Sequence, residues 1–80
     1  MNITDTIRKH LKRAQEEMRE SQRLLKLEPN SRNRKAQASA AKDIWQALYR
    51  LSADLIGEEE TGILAASIDR DIEWNRHEAR

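Results

Sequence analysis

Cysteine and phenylalanine are absent from these 80 residues, proline occurs once and glycine twice, and the aromatic side chains are two Trp and one Tyr. The lack of cysteine excludes disulfides, thiolate metal sites and cysteine nucleophiles, and it fits a reducing compartment. Two isolated glycines, Gly57 and Gly62, cannot build a glycine-rich phosphate loop. The two histidines, His10 and His77, stand near opposite ends of the chain and outside any metal-ligand spacing. No apolar run approaches the roughly 20 residues a membrane span needs, and Met1 to Asp5 has neither a basic nor an apolar leader region. These absences leave a cytoplasmic, non-enzymatic protein without cofactor or metal as the expectation.

What the chain does contain is two apolar stripes at alternating three- and four-residue steps. The first runs Ile7, Leu11, Ala14, Met18, Ser21, Leu25, and the second runs Ala41, Ile44, Leu48, Leu51, Leu55. Such spacing lines one face of an α-helix. Between them, Pro29 disfavours helical backbone at Glu28, while Asn30 and Ser31 supply turn and cap chemistry. Helices over 4–28 and 32–56 therefore form an antiparallel hairpin. Gly57 ends the second, Glu58, Glu59, Glu60 and Thr61 lead onward, and Leu64, Ala65, Ile68 and Ile72 mark a shorter third helix over 62–75. The fold class is all-α, a small helical bundle in a single domain spanning 1–80.

The second helix carries more apolar surface than a hairpin needs. Trp45, Tyr49, Ser52 and Ile56 form a further row offset by one residue, so the arc reaches two neighbours. One is helix one; the other is the third helix or a second copy of the chain. A chain this short buries a modest core, which makes a homodimer a reasonable expectation. Trp45 and Tyr49 read first as core or dimer residues, and as interface anchors in the sharper alternative. Trp74 stands off the Leu64, Ile68, Ile72 row, on a line with Ile63, Ser67 and Arg70, and is expected to be exposed.

Net charge is +1, but it is unevenly distributed: residues 1–50 carry net +6 and residues 51–80 net −5. The halves either neutralise one another on folding or present separate faces to partners. A basic segment at the start of helix two, Arg32, Arg34 and Lys35 with Lys42 beyond, adds cations where the helix dipole is already positive, and an anion would relieve it. The acids Glu58, Glu59, Glu60, Asp69, Asp71 and Glu73 offer the opposite surface, suited to a basic protein face of the kind found on nucleic-acid-processing complexes. Of the acids in the third helix, Asp69 and Glu73 share a face, too few to build a cation centre.

Compact, cysteine-free, highly charged single-domain proteins are common among phage- and mobile-element-encoded inhibitors of host machinery, anti-CRISPR proteins included. The likeness is one of type and rests on no motif. The expected function is a non-enzymatic protein-protein interaction module that binds and blocks a larger complex, with partner contacts at Arg32, Arg34, Lys35, Lys42, Trp45, Tyr49, Glu58, Glu59, Glu60, Asp69, Asp71 and Trp74. The alternative is a nucleic-acid accessory protein that holds phosphates at the 31–35 turn.

Overall fold

A computed structural model describes residues 2–78, with side chains described through Trp74. Three helices follow in order: α1 (Ile3–Leu27), α2 (Arg32–Ile56) and α3 (Glu58–Glu78). The Asn2 side chain caps α1 by accepting from the Thr4 amide at 3.1 Å, and Asp5 sits in the first turn, where a carboxylate suits the positive helix end. Before Pro29 the backbone leaves helical geometry at Glu28 (φ −131°, ψ 68°), as the proline ring requires. Ser31 then caps α2 by accepting from the Arg34 amide at 3.3 Å.

The start of α3 differs from the sequence reading. Gly57 (φ 94°, ψ 156°) is the single residue between α2 and α3. Its amide donates to the Ala53 carbonyl at 2.9 Å, and its carbonyl accepts from the Thr61 amide at 3.1 Å. One residue thus closes one helix and opens the next, and Glu58, Glu59 and Glu60 form the first turn of α3 instead of a lead-in. Three carboxylates there face a positive dipole end, which favours the early start. At 21 residues α3 is still the shortest helix.

The hairpin of α1 and α2 forms the base, and α3 packs on both. Leu11, Leu64 and Ile68 are the centre of the core, with Ile7, Trp45, Leu48, Ile56 and Ile72 packed around them. The row on α2 that sits one residue beyond its heptad stripe is therefore covered within the chain. Trp45 and Ile56 meet the core, the Trp45 and Tyr49 rings lie 5.2 Å apart, and Tyr49 Oη lies beside Gly62.

Much of the deepest burial is polar. Gln15, Ser52 and Thr61 are each at most 1% exposed. Gln15 Nε2 donates to the Ala65 carbonyl at 3.2 Å and to Asp69 Oδ1 at 2.8 Å, tying α1 to α3. The Ser52 and Thr61 hydroxyls share a 2.8 Å hydrogen bond that clamps the two helices on either side of Gly57. Removing one member leaves the other buried without its partner. Thr61→Val is therefore expected to cost about 1–2 kcal/mol, and Ser52→Ala a similar amount. The double variant should fall well short of the sum, and strict additivity in urea denaturation would refute the coupling.

Candidate functional site

The two charged halves are brought together by the fold. Arg8 on α1 bonds Asp71 on α3, and Arg19 reaches Asp69 at 3.2 Å and Glu73 at 3.5 Å. All five side chains keep partial exposure, so each pair contributes about 0.2–1 kcal/mol and chiefly fixes how α3 lies against α1. The self-neutralising reading of the charge gradient is the one these contacts support. Asp69 and Asp71 are paired with cations of α1 while half-exposed, whereas Glu58, Glu59 and Glu60 are exposed and make no ion pair among the described residues.

The basic turn is partly neutralised as well. Arg34 Nε donates to Glu28 at 3.0 Å and its Nη1 to Gln37 at 3.1 Å, which leaves Arg32, Lys35 and Lys42 as exposed cations in this region. The Ser31 side chain already occupies the Arg34 amide that an anion would use. Farther along α1, hydrogen bonding to Glu20, and then its charge, push the Arg23 guanidinium still higher above its ordinary range. Arg13 and Glu17 pair along the same helix at 3.4 Å. The α1 surface is thus internally balanced, consistent with a solvated helix face.

Of the aromatic candidates, Trp45 and Tyr49 lie within the bundle, half-buried and in contact with each other. Trp74 is exposed at 66%, and Ile63 on the same outer line of α3 at 56%. The side chain of His77 lies outside the described residues. His10 is exposed on α1. Among the described residues no group of three His, Asp or Glu side chains could hold a metal ion, and no helix is long and apolar enough to cross a membrane.

The least expected feature is on α2. Ala40, Ile44, Ala47, Leu51 and Leu55 are all exposed, the three large ones at 51–54%. At 100° per residue these five occupy one narrow strip, turned away from the Trp45, Ser52 and Ile56 side that meets α3. Along the groove between this strip and α1 lie two recesses. One, of about 280 Å³, is lined by Ile3, Ile7, His10, Leu48, Leu51 and Leu55. The other, of about 370 Å³, is lined by Glu17, Ser21, Gln37, Ala40, Ala41 and Ile44. Sequence reasoning placed Ile44, Leu51 and Leu55 in the hairpin core. The residues it missed as uncovered are Ala40 and Ala47, whose spacing with Ile44 and Leu51 was the available signal.

Compared with known proteins, the chain matches no family model, no curated protein and no solved structure.

Proposed function

We propose that this chain is a non-enzymatic protein-interaction module. The observation that carries the reading is the apolar strip of Ala40, Ile44, Ala47, Leu51 and Leu55 on α2, which the chain itself leaves open to water. A row of three large aliphatic side chains and two alanines, bordered by Asp43, Arg50 and Asp54 on its outer side, suits a helix that packs on another protein. Acting by occupancy, such a module blocks or organises a larger assembly, the mode of small inhibitors encoded by phages and mobile elements. Glu58, Glu59, Glu60, Ile63 and Trp74 on α3 add a second surface, acidic with exposed apolar anchors, that suits a basic partner. The nucleic-acid reading has less support, because Arg34 and the cap at Ser31 are already engaged.

Photo-crosslinking in cells tests the reading. A diazirine amino acid at Leu51 is expected to form covalent protein adducts, whereas the same probe at the exposed polar Gln46 is expected to form few. Equal yields at both positions, or none at Leu51, would refute a docking role for the strip.

A further inference from the structure

We draw no further inference here: the strongest candidate, the apolar strip of Ala40, Ile44, Ala47, Leu51 and Leu55 on α2 with the two recesses beside it, carries nothing beyond the reading above because nothing in the structure shows what covers it.

Discussion

Replacing Ile68 with alanine is expected to remove about 3 kcal/mol of folding stability, within the range of about 2–5 kcal/mol for truncating a buried isoleucine. Ile68 is fully buried, and with Leu11 it is one of the two largest apolar side chains with essentially no exposure. It is also the point where α3 meets the side chains of α1 and α2, through Leu11, Trp45 and neighbours in one cluster. Few other buried apolar residues share the load, because among the described residues Ala14, Ala41 and Leu64 complete the buried hydrophobic set. At about 0.05–0.15 kcal/mol per residue, a domain of this length is stable by roughly 4–12 kcal/mol, so the loss should bring the chain close to its unfolding threshold. Urea midpoints at one fixed protein concentration check it, since association would add a concentration-dependent contribution. Ile68→Val sets the scale at about 0.5–1.5 kcal/mol. An alanine variant with the wild-type midpoint would mean that α3 does not dock through Ile68.

The α1 stripe and the position of the turn were legible because each rests on local physics. Leu11 and Ala14 are buried, Ile7, Met18, Ser21 and Leu25 are half-buried, and Pro29 with Ser31 fixes the hairpin within a residue or two of the reading. On α2 the period was legible but the direction was not. A wide apolar arc says that two faces are covered, without saying which one the chain itself covers. That choice depends on where α3 returns, and α3 returns over Trp45, Ser52 and Ile56 because a one-residue link at Gly57 sets its entry. Ile44, Leu51 and Leu55 are consequently left on the other side. Thr61 and Gln15 escaped notice for a related reason. A polar residue is assigned to a surface or a cap unless its partner is known, and both partners lie on another helix. The charge gradient was visible as composition, yet only the pairs of Arg8 and Arg19 with Asp69, Asp71 and Glu73 show that the opposite charges meet within the bundle.

Gly57→Val is expected to cost about 3 kcal/mol, at the upper end of what a strained backbone position exacts. At φ 94° and ψ 156° this residue lies outside the left-handed helical basin, in a region almost confined to glycine. A Cβ built there meets no atom within 4 Å, so crowding contributes nothing and the cost is one of backbone conformation. The conformation is forced by what the residue must do. Its amide closes α2 on Ala53, its carbonyl opens α3 on Thr61, and no neighbouring residue shares the reversal. Relaxing the torsion would displace Thr61 from Ser52 and turn α3 off the core, so the strain cannot be relieved locally. The discriminating experiment is chemical synthesis of the chain with D-alanine at position 57. A D-residue favours positive φ, so this variant should stay within about 1 kcal/mol of wild type in urea denaturation, whereas L-valine should not. Equal destabilisation by both would contradict a cost set by the sign of φ at Gly57, and wild-type stability for L-valine would show that α2 and α3 can join without this reversal.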